Sequence, residues 1–192
     1  MTDDRTRPTR RRRESFAGRR ERLAAVDDPA VVLDAGLRFL EARQRSVAEV
    51  RSRLVTAGYR TDLVEGAIAR LLELGILDDA AFAAAWVASR DRAHPRGARA
   101  LRSELIQKGL AAEVIASVLD AREEDGRDVP EGSSGIEPMS ADEDAARRLV
   151  ARHANALARI DDPSKRRQRA YGLLARHGFD PETASRVASD VD

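Results

Sequence analysis

The chain has 192 residues, of which 42% are hydrophobic and 35% charged, with 34 Lys and Arg against 33 Asp and Glu. The hydrophobic share excludes full disorder, and the length fits one elongated domain or two small ones at roughly 150 residues per domain. The absence of cysteine excludes a disulfide scaffold, a thiolate nucleophile and every Cys-containing zinc site. No apolar run approaches the roughly 20 residues that cross a bilayer, and the basic N-terminus precedes no signal-peptide core, so a soluble, unexported, cytoplasmic protein is expected.

The net charge of +1 hides a segregation. Residues 1–22 carry +5, residues 23–121 carry −1, residues 122–144 carry −7 and residues 145–192 carry +4. Such an arrangement points to a polyanionic partner for part of the surface. The first 26 residues, with the run Arg10, Arg11, Arg12 and Arg13, have few apolar side chains to bury and are expected to form a disordered basic arm. The arm reads either as a nucleic-acid tether or as a solvated tail.

Strand signals are nearly absent, and helix signals follow one another along the chain. Val32, Leu33, Leu37 and Leu40 mark a first amphipathic segment that ends near Arg43. Ser46 and Glu49 have capping-box spacing, and the helix they open carries Val47, Val50 and Leu54 to a left-handed cap at Gly58. Thr61 is expected to cap a third segment with Val64, Ile68 and Leu71. The grammar then returns: Asp78 or Asp79 caps a helix with Phe82, Trp86 and Val87, Pro95 and Gly97 break it, and Leu101 and Leu105 lead to Gly109. Val114, Ile115, Val118 and Leu119 follow. Residues 123–140, acidic and rich in Gly, Ser and Pro, read as a flexible linker. Beyond it Ser140 and Glu143 repeat the capping-box spacing, and Asp162-Pro163 and Asp180-Pro181 each open a helix with Pro at its favoured first position.

The repeat has a countable register. Leu54, Leu105 and Leu174 each lie four positions before a glycine, and Tyr59, Leu110 and Phe179 follow those glycines directly. Gly58, Gly109 and Gly178 are separated by 51 and 69 positions, and the excess of 18 equals the linker. The expected fold is therefore all-α, an elongated array of three tandem three-helix repeats over residues 30–77, 78–122 and 141–192.

No catalytic site is legible. His94, His153 and His177 are scattered and match no metal spacing, and no phosphate loop or nucleophile elbow is present. Asp78 and Asp79 are better explained by helix capping than by acid–base chemistry. Trp86, at helical spacing after Phe82, reads as core, with an interface anchor or base-stacking platform as the alternative. What remains is cationic surface near the second helix of each repeat. It comprises Arg43, Arg45, Arg51 and Arg53, then Arg96, Arg99, Arg102 and Lys108, then Lys165, Arg166, Arg167 and Arg169. Residues three or four apart share a helix face, so these clusters could follow a phosphate backbone or an acidic protein groove. Interleaved Glu41, Glu49 and Glu104 leave solvation as the competing explanation.

One combination of segments resembles a known family. Leu37-Arg38-Phe39-Leu40-Glu41-Ala42-Arg43-Gln44-Arg45-Ser46 with Glu49, Leu54 and Gly58 forms the first part. Leu74-Gly75-Ile76-Leu77-Asp78-Asp79 with Phe82-Ala83 and Arg90 forms the second. Gly97 with Leu101, Glu104-Leu105 and Lys108-Gly109 completes it. Together they resemble the RecX regulatory family from about Val31 to the C-terminus, most strongly up to Leu119. The basic arm and the acidic linker depart from the family pattern.

The resemblance implies a non-enzymatic modulator of the RecA recombinase, acting in DNA repair, homologous recombination and the SOS response. It would bind the RecA filament on single-stranded DNA and suppress ATP hydrolysis, strand exchange and co-protease activity, by blocking filament extension or promoting disassembly. A monomer without a cofactor or metal is expected, with duplex DNA a further candidate partner. Apart from the resemblance, the residues leave open a stand-alone helical DNA-binding protein of transcription-factor type, or a helical interaction scaffold with no nucleic-acid role.

Overall fold

The computed structural model describes residues 15–127 and 139–191. The run Arg10 to Arg13 and the middle of the expected linker lie outside those residues. Eleven helices occupy the described chain in the order α1 (Phe16–Ala24), α2 (Pro29–Leu40), α3 (Val47–Ala57), α4 (Thr61–Glu73), α5 (Asp79–Ala93), α6 (Ala98–Gln107), α7 (Ala112–Arg127), α8 (Ala141–Arg152), α9 (Ala154–Leu157), α10 (Pro163–Arg176) and α11 (Pro181–Ser189). There is no strand among the described residues, and none of their helices is long and apolar enough to cross a membrane. Helices α2–α4, α5–α7 and α8, α10 and α11 form the three repeats, with α9 a single turn between α8 and α10.

The helix ends follow local chemistry. Asp28, Asp162 and Asp180 each accept a backbone N–H of the first turn just before a proline, which has no N–H of its own to satisfy. Asp78 accepts from the N–H groups of Ala80 and Ala81. Ser46 and Glu49 make the reciprocal box, the Glu49 N–H donating to Ser46 Oγ at 3.1 Å and the Ser46 N–H to Glu49 Oε2 at 3.4 Å. Thr61 does not cap: Arg60 stands at that position of α4, and no side chain closes the end. At Ser140 half of the box forms, because Glu143 turns its carboxylate to Arg147 and Arg186 instead.

The second helix of each repeat ends in the same Schellman turn. The N–H groups of Tyr59, Leu110 and Phe179 donate to the carbonyls of Leu54, Leu105 and Leu174, each at 3.3 Å, around glycines with φ of 114°, 77° and 84°. The leucines are buried, and so are Val64, Ile68, Ile115, Leu119, Ala184 and Ala188, which lie six and ten positions beyond the three glycines.

The described chain forms two compact units, residues 15–43 with 50–74, and residues 44–49 with 75–127 and 139–191. In the first, α2 lies on α4 around Val32, Val50, Leu54, Val64, Ile68 and Leu71. Helix α1 belongs to this unit and buries Leu23. Residues 16–24, assigned to the disordered arm from their composition, are thus helical, with Ser15 accepting from the Gly18 N–H at their start. In the second unit, Phe82, Val87, Leu101, Leu105, Ile115 and Leu119 form one cluster and Ala145, Leu149, Leu174, Phe179 and Val187 another. Helix α7 continues to Arg127, so residues 123–127, assigned to the linker, extend the helix instead.

Within the second unit, two junctions use one pattern. The carboxylate of Asp79 accepts the N–H of Val47 at 2.9 Å, and that of Asp142 accepts the N–H of Ala98 at 2.9 Å. In each case an acid from one repeat's first helix closes the N-terminus of the preceding repeat's second helix, where free donors and the helix dipole favour negative charge. The glycine turns meet the same places. Ser46 Oγ donates to the carbonyl of Lys108 at 2.7 Å, and the Gly97 N–H donates to that of His177 at 3.1 Å. A Cβ on Gly109 would lie 2.4 Å from Ala48 Cβ, and one on Gly178 would lie 2.4 Å from Ala100 Cβ and 2.6 Å from its nitrogen.

Gly178→Ala should therefore destabilise the second unit by more than the roughly 1–2 kcal/mol of left-handed backbone strain alone. Gly66→Ala, on an open face of α4 with nothing within 4 Å of the new methyl, should stabilise by about 0.5–1 kcal/mol. Urea unfolding followed by circular dichroism checks both signs.

Candidate partner and nucleic-acid interface

The cations singled out by sequence divide by their acid neighbours. In the first unit, Arg51 makes a two-point bond to Glu65 at 2.7 and 2.9 Å, and this hydrogen bonding holds the Glu65 carboxyl below its ordinary pKa. The Arg53 guanidinium lies 5.7 Å from the centre of the Phe39 ring, and Arg43 is exposed just past α2.

In the second unit, a polar network surrounds Trp86. Its indole N–H donates to Glu104 at 2.8 Å, and the Arg90 Nε donates to the same oxygen at 2.7 Å. Arg90 and Lys108 stand 4.5 and 4.8 Å from the indole centroid, Lys108 also bonds Glu49 at 2.8 Å, and Arg96 is 3.7 Å from Glu104. Trp86 stacks on Phe82 at 6.0 Å but is only half-buried, so it belongs to the edge of the core and to this network together. Arg45 is half-buried just before α3. Arg96 and Lys108 thus serve internal pairing, whereas Arg99 and Arg102 on α6 are exposed and carry no ion pair among the described residues.

Helix α10 presents the third cluster. Arg166 turns back to the carbonyl of Ile160 at 3.0 Å, and Arg167 is exposed. Lys165 is 76% exposed, with only a distant contact of 3.8 Å to Asp162. Lys165, Gln168, Arg169, Gly172 and Arg176 line a shallow groove of about 250 Å³. The spacing of Lys165, Arg169, Gly172 and Arg176 sets them on one face over about 16 Å of helix, with the Arg176 guanidinium reaching back over Gly172, 3.3 Å from where a Cβ would stand. Sequence reasoning missed Arg176; its spacing of seven from Arg169 would have placed it on this face.

Sequence also missed Arg122, the buried cation that joins repeats 2 and 3. It bonds Asp91 at 2.9 and 3.0 Å and Asp142 at 2.5 Å, and its remaining donors reach the carbonyls of Arg96 and Ala141. Burial lowers its pKa, but the bonds to the two aspartates more than offset that, and the net shift is upward. Arg152 adds two bonds to the final carbonyls of α5, those of Arg92 and Ala93. The histidines are helix-end groups: His153 and His177 place Nδ1 2.9 and 2.8 Å from the carbonyls four residues earlier, and His94 caps α5 exposed.

These features define a class: an all-helical tandem array whose junctions are built from charge and whose second helices in repeats 2 and 3 carry exposed cations. The chain belongs to the RecX family of regulatory proteins. Models described as the first, second and third three-helix domains of RecX match residues 33–71, 78–119 and 141–188. Regulatory protein RecX of Mycobacterium avium (strain 104) is 37% identical over 152 residues, covering 79% of each chain. Regulatory protein RecX of Mycobacterium leprae (strain Br4923) is 32% identical over 151 residues, covering 79% of this chain and 80% of its own. The crystal structure of RecX from Lactobacillus salivarius shares the fold, with a TM-score of 0.70, 17% identity and coverage of 86% of this chain and 97% of that one. A second crystal structure of regulatory protein RecX aligns with a TM-score of 0.66 at 18% identity, over 91% of this chain and 74% of that one.

Arg122→Ala should cost about 3–5 kcal/mol, because buried Asp142 and half-buried Asp91 would lose the cation that compensates them. The sole tryptophan, Trp86, reports unfolding of this unit in urea by its fluorescence. Glu143 supplies a pH test. Arg147 first, and then Arg186, hold its carboxyl below the ordinary value against the opposite effect of burial. Its stabilising contribution is therefore present above the unfolded pKa of about 4.3 and is lost as pH falls through the lower folded value. Glu143→Gln should be less stable than the parent at neutral pH, and the difference should vanish in acid.

Proposed function

We propose that this chain is a non-enzymatic, cytoplasmic, monomeric modulator of the RecA recombinase. In this reading it binds the RecA filament on single-stranded DNA and lowers ATP hydrolysis, strand exchange and co-protease activity, by blocking filament extension or promoting disassembly. Membership of the regulatory RecX family supports the choice of partner. The observation that carries the reading at residue level is the placement of exposed cations without strong acid partners on the second helices of two successive repeats, Arg99 and Arg102 on α6 and Lys165 and Arg169 on α10. A filament on DNA offers both acidic protein grooves and phosphates to such a surface. Arg10 to Arg13 would add electrostatic attraction that carries no sequence information.

Arg45, Arg96, Lys108 and Arg166 contribute chiefly through internal packing in this reading. Arg43, Arg51, Arg53 and Arg167 remain at the surface as auxiliary contacts.

ATP hydrolysis by the cognate RecA on single-stranded DNA tests the proposal. Added at well below one chain per RecA protomer, the protein should inhibit strongly, since stopping or shortening a filament affects many protomers. No inhibition in excess, with filaments intact by electron microscopy, would overturn it. A sequence-dependent footprint on duplex DNA would then favour the stand-alone DNA-binding reading.

A further inference from the structure

A cleft in the first unit combines arginines with aromatic rings. It holds about 280 Å³ and is walled by Arg19 and Leu23 of α1, by Arg38 and Phe39 of α2, and by Arg53 of α3 with Tyr59 just beyond. Helix α1 forms its outer wall because of how it is seated. A Cβ on Gly58 would lie 2.6 Å from Arg20 Cγ and 2.8 Å from the Arg20 carbonyl oxygen, so the backbone of α1 rests directly on the left-handed turn after α3. That close approach sets Arg19 across the cleft from Arg38 and Arg53.

The lining is selective in two respects. Two of the chain's seven aromatic residues stand here, and both Phe39 and Tyr59 are half-buried rather than enclosed in the core. All three arginines are exposed; Arg38 is paired with Asp34, and the guanidinium of Arg19 makes no ion pair among the described residues. Arg53 already lies over the Phe39 ring, so a planar cation and an aromatic face border the same space. An unstacked nucleotide has the complementary form, with a flat base for the rings and a phosphate for the guanidinium groups.

We propose that this cleft is a binding site for one nucleotide of single-stranded DNA, with the base against Phe39 and Tyr59 and the neighbouring phosphates on Arg19, Arg38 and Arg53. The assignment deepens the reading above and rests on it only for the choice of single-stranded DNA as the polyanion. Base stacking here is tolerant of sequence, because every base offers a π-face. Helix α1 thereby completes the site.

Fluorescence anisotropy of the full chain, without RecA, tests this with a short oligothymidylate and an abasic oligomer of the same length. The parent protein should prefer the base-bearing strand by about tenfold, the affinity that one stacked base confers. Phe39→Leu, which retains apolar bulk, should remove most of that preference. Arg19→Gln, on the exposed face of α1, should weaken both strands and reduce the slope of log affinity against log salt by about 0.7. Equal affinity for the two strands in the parent, with no effect of Phe39→Leu in a variant whose thermal unfolding is unchanged, would overturn the proposal. So would tight binding that Arg19→Gln leaves intact. Because RecA is absent from the assay, failure here is separable from failure of the RecA reading: inhibition of ATP hydrolysis can persist without this cleft.

Discussion

The closure of a helix N-terminus by a carboxylate from the next repeat, beside a left-handed glycine turn pressed onto the same first turn, is the interaction on which the array depends. Asp79 on Val47 and Asp142 on Ala98 supply the carboxylates, and Gly109 on Ala48 and Gly178 on Ala100 supply the close approach. Each carboxylate satisfies a free backbone donor of a helix's first turn, and each glycine leaves no room for a side chain. At α10 the corresponding N-terminus is closed differently, by its own Asp162 followed by Pro163. At Gly58 the seat is taken by α1, which is less than a repeat.

Charge therefore does two kinds of work in this protein. Arg122, Arg90 and Lys108 are held by two or more acids, carbonyls or ring faces, and their desolvation is compensated inside the fold. Arg99, Arg102, Lys165 and Arg169 have no comparable partners, and as exposed cations they add little to stability. They keep their hydration in the free chain and can exchange it for phosphates or acidic side chains on binding, with a salt dependence set by the number of charges neutralised. A total charge near zero is compatible with this division because the acids are concentrated at the junctions and in residues 122–144.

Features decided by neighbours in sequence were legible in advance. The leucine–glycine–apolar register at Leu54, Leu105 and Leu174, the Asp-Pro helix starts and the Ser46–Glu49 box all involve residues within five positions of one another. The junction acids were not legible. Asp79 read as a candidate cap of its own helix and nothing singled out Asp142, because their partners lie 32 and 44 positions away. Arg122 looked like the first residue of a charged stretch, yet its three-sided setting exists only once α5, α7 and α8 meet. Composition misled at α1, where Arg19, Arg20 and Arg22 hide a helix held by the burial of Leu23 and the seat at Gly58. The cationic clusters were found as clusters, but which members are paired depends on Glu49, Glu65 and Glu104 arriving from other turns of the fold.

The division of cations into those that bind and those that build is the central claim, and a paired measurement on two single variants tests it most directly. Affinity for the RecA filament on single-stranded DNA and unfolding in urea would be measured together for Arg99→Gln and Arg90→Gln. The account predicts that Arg99→Gln loses affinity with stability unchanged to within about 0.5 kcal/mol, as for an exposed side chain without partners. It predicts that Arg90→Gln is clearly destabilised, because Glu104 and Trp86 lose the cation between them. Full affinity in Arg99→Gln together with unaltered stability in Arg90→Gln would contradict it.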